Sequence, residues 1–550
     1  MTKSTVLNRA AAAGGHYSDR LLVMFVALPL GLAGCGGGGN GGSGMSTAPP
    51  AASTPPMTTT PSTPTSPTVQ VPAVPGGLKV TPGNATVTLT WTASSGATAY
   101  QVSRATASSG PWSPIGTPTM SSYGDTGLTN GTTYYYVVSA QDFAGMSANS
   151  GAVSATPTAP APPPPIQSAG YWHTSGNKIV DSSNTTVRIT GVNWYGFETT
   201  DHLVHGLWAQ DYQSILNTIK ALGYNVIRVP FSNEMVETNP VPTNFTTNAG
   251  GKAVNAALVG KTALEDLDTI VAYAGSIGLR VILDNHRSEA GNSNEASGLW
   301  YTSAYPQASW IADWQALAMR YSDTRFTFNG NPTVIGFDLR NEPHLIGSSA
   351  KSGSCWTGDT TVNGCPASLT SQNWTVAAQT AGNAILAINP NLLIFVEGLD
   401  CYSGVCGWQG GNLIGVASNP VVLTVANQLV YSAHDYGPAL FQQPWFNGAT
   451  TPDSLNAVWN KYWGYISAAG TAPVWLGEFG TGNNAADTQN TAAGSQGQWF
   501  FALVAYIKSN PQMSWTYWAL NGEDSYGLLD SNYDPTPASA LKQSLLQGIQ

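Results

Sequence analysis

The stretch Asp338-Leu339-Arg340-Asn341-Glu342-Pro343-His344 closes the apolar run 334–337 and ends it in an acid followed by a proline. A run this short, rich in branched side chains and stopped by proline, predicts a fully buried parallel strand. Glu342 then stands at the strand's C-terminal end. There α/β sheets build their sites, because the strand holds the side chain while the following loop leans over a ligand. A lone acid at a strand end serves equally well to cap the next segment or to pair with a core arginine. The surrounding chain decides between these readings.

Outward from 334–342, similar apolar segments stand at 191–194, 225–230, 280–286, 392–397, 429–436, 474–478 and 513–520. Helical patterns fall between them. Tyr212, Ile215, Leu216, Ile219 and Leu222 recur at helix spacing, and Thr262 with Glu265 forms a capping box opening a helix over 264–274. Further helices fit 309–321, 372–388, 454–466, 497–507 and 539–546. Eight βα repeats within 167–550 predict a (β/α)8 TIM barrel with enlarged loops.

The chain upstream of the barrel is different in kind. Lys3, Arg9 and Arg20 lead into an apolar run over 21–32, too short to span a bilayer and laid out as an export signal. Leu32-Ala33-Gly34-Cys35 resembles the lipobox of bacterial lipoproteins, which makes Cys35 a lipidation site and 1–35 the signal. An ordinary signal with an incidental cysteine is the alternative. Both readings export the protein, as an outer-membrane lipoprotein or a secreted extracellular protein. Residues 36–74, rich in Gly and then Pro, Thr and Ser, predict a flexible linker, and the Pro-rich break 159–166 a short stiff one.

Between the linkers, 75–158 alternates in period two: Val87, Leu89 and Trp91, then Tyr100 and Val102, then Tyr134, Tyr136, Val138 and Ala140. That predicts a small all-β antiparallel sandwich. Trp91, Tyr100 and the run Gly127-Leu128-Thr129-Asn130-Gly131-Thr132-Thr133-Tyr134 resemble a fibronectin type III module. It contains no acid pair and no metal constellation, so it reads as a spacer.

Composition bounds the partners. Of 550 residues 42% are hydrophobic and only 9% charged, and the net charge is -10. The acidic balance argues against nucleic acid or an anionic membrane surface and leaves a neutral polymer as a natural substrate. The 18 tryptophans suit the apolar faces of sugar rings, although most tryptophans in any protein are core.

The predicted strand ends are unusually polar: Arg228; Asp284, His286 and Arg287; Asn341 and Glu342; His434 and Tyr436; Glu478; Trp518. Each has a structural reading of its own, as an ion pair, a hydrogen-bonded core histidine or packing. Their convergence on one rim favours a site. Two carboxylates facing each other across a cleft supply glycosidic bond cleavage, one protonating the leaving oxygen and one attacking carbon or activating water. Glu342 and Glu478, on opposite strands, are expected to approach to about 5 to 5.5 Å if the reaction retains configuration. Cys355 with Cys365 and Cys401 with Cys406 fall as two local pairs in loops after strands. Three connectivities are open and local disulfides are favoured; a zinc site is the weaker alternative, since no histidine shares the spacing.

Asn341-Glu342-Pro343, Gly477-Glu478-Phe479-Gly480, His434-Asp435-Tyr436, Ile227-Arg228-Val229-Pro230, Leu283-Asp284-Asn285-His286 and Gly191-Val192-Asn193-Trp194 together resemble the motifs of cellulases of glycoside hydrolase family 5, in family order. The resemblance implies that Glu342 is the acid/base and Glu478 the nucleophile, and that Arg228 and Tyr436 orient Glu478. It further implies that Asn341 binds the reacting sugar's 2-hydroxyl, that His286 and His434 line that subsite, and that Trp518 is its stacking platform. Trp194 and Trp300 are further candidate subsite aromatics, and Arg340 receives no role. The implied protein is a monomeric endo-β-1,4-glucanase acting on β-glucan without cofactor or metal. A mannanase, xylanase or mixed-linkage glucanase uses the same frame. A non-catalytic glycan-binding surface lipoprotein would require loss of an essential acid, and both are present.

Overall fold

The computed structural model describes residues 70–83, 85–158, 170–245, 254–346 and 352–550. The export signal with Cys35, the linker up to residue 69 and the Pro-rich break lie outside the described residues.

Residues 76–155 form two antiparallel sheets. Gly76–Gly83, Thr86–Thr92 and Ser122–Thr126 make one; Ala99–Ala105 and Tyr134–Asp142 centre the other, flanked by Ser113–Gly116, Gly145–Met146 and Val153–Ala155. Alternate side chains turn inward: Val87, Leu89 and Trp91 share one buried cluster with Tyr100, Val102, Tyr136 and Val138.

From residue 190 onward eight parallel strands close into a barrel: Thr190–Asn193, Val226–Ser232, Arg280–Arg287, Val334–Asp338, Leu393–Glu397, Leu429–His434, Val474–Glu478 and Ser514–Tyr517. Pairing of Thr190 with Trp515 joins first strand to last. Inward side chains fill the lower barrel: Val226, Ile282, Ile335, Leu393, Phe395, Val430 and Trp475 are all but inaccessible, with Ile179 of the strand Lys178–Val180 in the same cluster. Outward side chains pack on the helices in a second, larger cluster. Gly336 is required within the fourth strand, since a Cβ there would sit 2.6 Å from the Leu393 carbonyl oxygen.

Helices occur near their expected places, at Tyr212–Ala221, Ala263–Ser276, Gln307–Arg320, Trp374–Ile388, Pro452–Trp459, Gln496–Ser509 and Ala540–Gln547. The capping box forms, with the Thr262 N–H donating to Glu265 at 2.8 Å. Among the described residues none is long and apolar enough to cross a membrane.

Two expectations are corrected. The fifth repeat has no α-helix: 398–428 carries the hairpin strands Cys401–Tyr402 and Val405–Cys406 and the 3-10 turn Ile414–Ala417 instead, and no helix-period apolar pattern exists there to build one. The fourth strand was expected to run to Glu342 and ends at Asp338. Beyond it single bonds still tie the backbone to both neighbours, the Leu339 N–H donating to the Phe395 carbonyl at 3.2 Å and the Asn341 N–H to the Asn285 carbonyl at 3.0 Å, and Glu342 adopts a left-handed conformation at φ 46°.

Candidate active site

Arg228 organises the mouth of the barrel. Its second-strand position points it inward, wholly buried above Trp475, whose ring lies 5.9 Å from the guanidinium carbon. A buried guanidinium needs carboxylates around it, and the neighbouring strand ends supply them. Nε donates to Asp338 at 2.9 Å and Nη1 to Glu478 at 2.6 Å; Nη2 donates to Glu397 at 3.2 Å and lies 3.1 Å from Asp284. Asn193 of the first strand and Asn341 accept the remaining N–H groups at 3.0 and 3.2 Å. Asn341 thus turns its carbonyl oxygen to the arginine, so its amide NH2 is the end left to a ligand.

Glu478 ends the seventh strand. One carboxylate oxygen takes the Arg228 contact, and the other accepts the Tyr436 hydroxyl at 2.9 Å. Burial pushes this acid up, but His434, Arg228 and His286, with the tyrosine hydrogen bond, outweigh it and hold the carboxyl below its usual range. Burial and the two glutamates drive Tyr436 well up, so the phenol stays a neutral donor.

Glu342 is the more exposed of the pair. One of its oxygens lies 3.0 Å from Nδ1 of His434 and the other accepts from Asn294 at 3.2 Å. Carboxylate oxygens of Glu342 and Glu478 and a ring nitrogen of His434 all fall within 4.8 Å of one another. His434 itself is buried. Burial pulls its imidazole down, but Glu397, Glu478 and the bond to Glu342 win and raise it well above the ordinary value, which makes it an imidazolium between the two acids. His286 is raised in the same way, against burial, by Asp284, whose Oδ2 lies 2.7 Å from its Nδ1. Asp338 is driven well up by burial and by Glu397, against Arg228. The Arg228 guanidinium fills the space among Asp284, Asp338 and Glu397, the place a metal would otherwise take.

Two cavities flank the acids and share Tyr436 and Leu440 as a common wall. One, of about 470 Å³, is lined by Glu342, Trp408, Phe441 and the Cys401–Cys406 hairpin. The other, of about 510 Å³, is lined by Trp518, Asn483, Asp487, Asp524 and Tyr526. The Trp518 indole N–H donates to Asp524 at 3.2 Å, and the rings of Tyr195 and His286 lie near-parallel to it at 5.3 and 5.7 Å. Lys542, on the last helix, supports this half from behind: its buried ammonium donates to the carbonyls of Thr481 at 2.9 Å and Tyr526 at 2.7 Å. Both local disulfides are formed, Cys355–Cys365 and Cys401–Cys406, so none of these four sulfurs is a free thiolate for zinc.

Glu342, Glu478, Arg228, Asn341, His286, His434, Tyr436 and Trp518 therefore meet at one mouth. Trp194 and Trp300 do not. Both are fully buried: Trp194 donates its indole N–H to the His205 carbonyl at 3.0 Å, and Trp300 packs against Trp310 and Trp374. Asn193 faces Arg228, so the alternation of a strand turns the next residue, Trp194, outward onto the helices. Arg340, given no role, ties the loop after the third strand to the fourth: it donates to Asn285 at 2.7 Å and to Glu295 at 3.1 Å, beside Asn294. Sequence reasoning missed Asn193, Glu397, Asn294 and Trp408. Asn193 and Glu397 carried the same signal as the others, a polar residue ending an apolar run.

A family model described as cellulase (glycosyl hydrolase family 5) matches residues 180–524. An endoglucanase of Paenibacillus polymyxa is 44% identical over 388 residues, covering 69% of this chain and 87% of that protein. The major extracellular endoglucanase of Xanthomonas campestris pv. campestris is 32% identical over 386 residues, covering 69% and 71%. Among solved structures, an endocellulase from Pyrococcus horikoshii in complex with cellotetraose is 30% identical, with a TM-score of 0.59 over 71% of this chain and 100% of that one. An acid pair facing across the mouth of an eight-stranded barrel, and a family match spanning every strand of that barrel, lead to one conclusion: the chain belongs to glycosyl hydrolase family 5 and is a glycoside hydrolase.

Proposed function

We propose that the enzyme is an exported endo-β-1,4-glucanase that cleaves internal bonds of cellulose or related β-glucans with retention, Glu478 acting as nucleophile and Glu342 as acid/base. The observation that carries this reading is the approach of a Glu342 carboxylate oxygen to within 4.8 Å of a Glu478 carboxylate oxygen. An inverting pair stands roughly 6.5–9.5 Å apart to admit a water. Glu478 lies below its usual range beside Arg228, as a nucleophile requires. In the first half-reaction Glu478 attacks the anomeric carbon while Glu342 gives its proton to the leaving oxygen; in the second, Glu342 takes a proton from the water that releases the glycosyl-enzyme. Asn341 would bind the 2-hydroxyl, His286 and His434 would line that subsite, and Trp518 would stack beneath it. The similarity to endoglucanases of two bacteria and to a cellotetraose-bound endocellulase supports β-glucan as substrate.

Following the anomer first released from cellopentaose by NMR tests the mechanism: β-product first is expected, and α-product first would overturn it. Glu478→Gln is expected to abolish turnover, and product analysis on glucan, mannan and xylan separates the polymers. We assign Cys35 as a lipid anchor and 75–158 as a fibronectin type III spacer that holds the barrel away from the membrane. The Tyr134 hydroxyl, which accepts the Thr129 N–H at 3.1 Å, supports the module assignment.

A further inference from the structure

Glu397 is inaccessible to solvent, ends the fifth strand and belongs to neither of the acids that do the chemistry. One of its oxygens, Oε2, accepts the backbone N–H of Glu342 at 2.7 Å. The other, Oε1, accepts from Arg228 Nη2 at 3.2 Å and lies 3.2 Å from Nε2 of His434. One carboxylate thus meets the Glu342 backbone and two of the side chains that orient the reacting acids, Arg228 on Glu478 and His434 on Glu342. Trp374 fixes its backbone, donating its indole N–H to the Glu397 carbonyl at 2.9 Å. Gly410 leaves room for it, since a Cβ there would stand 2.7 Å from Oε2 and 3.1 Å from the His434 ring.

We propose that Glu397 is a positioning residue of the reaction, holding the left-handed turn that aims Glu342 and tying that turn to His434 and Arg228. A non-glycine residue at φ 46° persists only where its surroundings over-determine it, and a charge-assisted hydrogen bond to its N–H does so. The groups facing His434 are Glu342, Glu397 and Glu478, so Glu397 is the carboxylate that balances the imidazolium from below while the other two react. The role rests on Glu342 being the acid/base.

The test is leaving-group dependence. Glu397→Gln offers one acceptor oxygen where the Glu342 and Arg228 N–H groups use two and removes the charge beside His434, so Glu342 loses its aim while the nucleophile keeps Arg228 and Tyr436. With purified full-chain enzyme, kcat/KM is measured on dinitrophenyl β-cellobioside, which departs unaided, and on phenyl β-cellobioside, which needs a proton. Glu397→Gln is expected to lose on the order of tenfold to a hundredfold on the phenyl substrate and about severalfold or less on the dinitrophenyl one. Glu342→Gln should show the same pattern more strongly. Equal losses on both substrates in Glu397→Gln, beside a leaving-group-dependent Glu342→Gln, would overturn the positioning role alone. No leaving-group dependence in Glu342→Gln would overturn the acid/base assignment and this role with it. If near-UV circular dichroism shows Glu397→Gln unfolded, Glu397→Asp, which keeps the charge and withdraws it by one methylene, decides by the same ratio.

Discussion

Replacing Tyr436 by phenylalanine removes a single oxygen, the one whose hydrogen bonds Glu478 at 2.9 Å. Hydrogen bonds to charged acceptors contribute about 1.5–3 kcal/mol, and one pKa unit corresponds to about 1.4 kcal/mol. The nucleophile should therefore become harder to ionise by about one unit, with two as the ceiling. His434, 3.6 Å from the same oxygen, offsets part of the loss, and Arg228 holds the other oxygen unchanged. As the proposed nucleophile, Glu478 reacts in its ionised form, which fixes the sign: the acid limb of kcat/KM moves to higher pH. The assay is hydrolysis of an aryl β-cellobioside from pH 4 to 9 with wild type and Tyr436→Phe, thermal unfolding serving as the control for folding. The plateau rate should also fall by about tenfold, since the carboxylate loses one of two orienting contacts. An acid limb that stays in place would refute the view that the phenol holds the nucleophile's charge.

Arg228→Met leaves Asp284, Asp338, Glu397 and Glu478 buried without their cation and should cost about 3–5 kcal/mol; a urea midpoint equal to wild type would contradict this. Burial pushes Asp435 and Asp266 up to about 7 and Asp313 to about 6. Their folded values exceed the unfolded one, so the stability they contribute is present at low pH and lost as pH rises through 6 and 7; the melting temperature should be higher at pH 5 than at pH 8. Lys542, lowered to about 7, is protonated in both states below that pH and opposes the trend only above it, where the folded state has released a proton the unfolded state still binds. Replacing Cys401 and Cys406 by serine opens a loop of sequence separation 5, which lowers stability by about 2 kcal/mol in the chain-entropy account. Because that hairpin lines the cavity beside Glu342, KM for cellopentaose should rise more than KM for a short aryl glycoside.

What could be read from the chain was set by strand geometry. Glu478 and His434 end their strands, Arg228 interrupts the apolar run of its strand from within and Glu342 follows the fourth strand by four residues; the parallel order brings all four together at the end where a barrel builds its site. Asn193 and Glu397 occupy the same kind of position and were legible on the same grounds. Asn294 and Trp408 sit in irregular loops, where no period marks the direction of a side chain; only the folded path of 288–298 and of the disulfide hairpin delivers them to Glu342. Trp194 and Trp300 fail for the opposite reason. An aromatic suits a sugar face and a core equally, and facing direction, which strand parity settles for Trp194, decides between them. The left-handed turn at Glu342 left no mark in the residue type, since glycine or asparagine is the usual sign of such a backbone.

The ammonium of Lys542 gives the helix Ala540–Gln547 a part in the cleft that its place in the chain does not suggest. Its contacts end on Thr481, Tyr526 and Gly527, carbonyls of the two loops that wall the Trp518 cavity. A change that lifts this helix, such as a bulky fusion or a trimmed expression boundary, would uncouple those loops from each other while leaving the barrel and both acids in place. Its signature would be selective: weaker grip on the sugar over Trp518, with bond cleavage once bound proceeding as before.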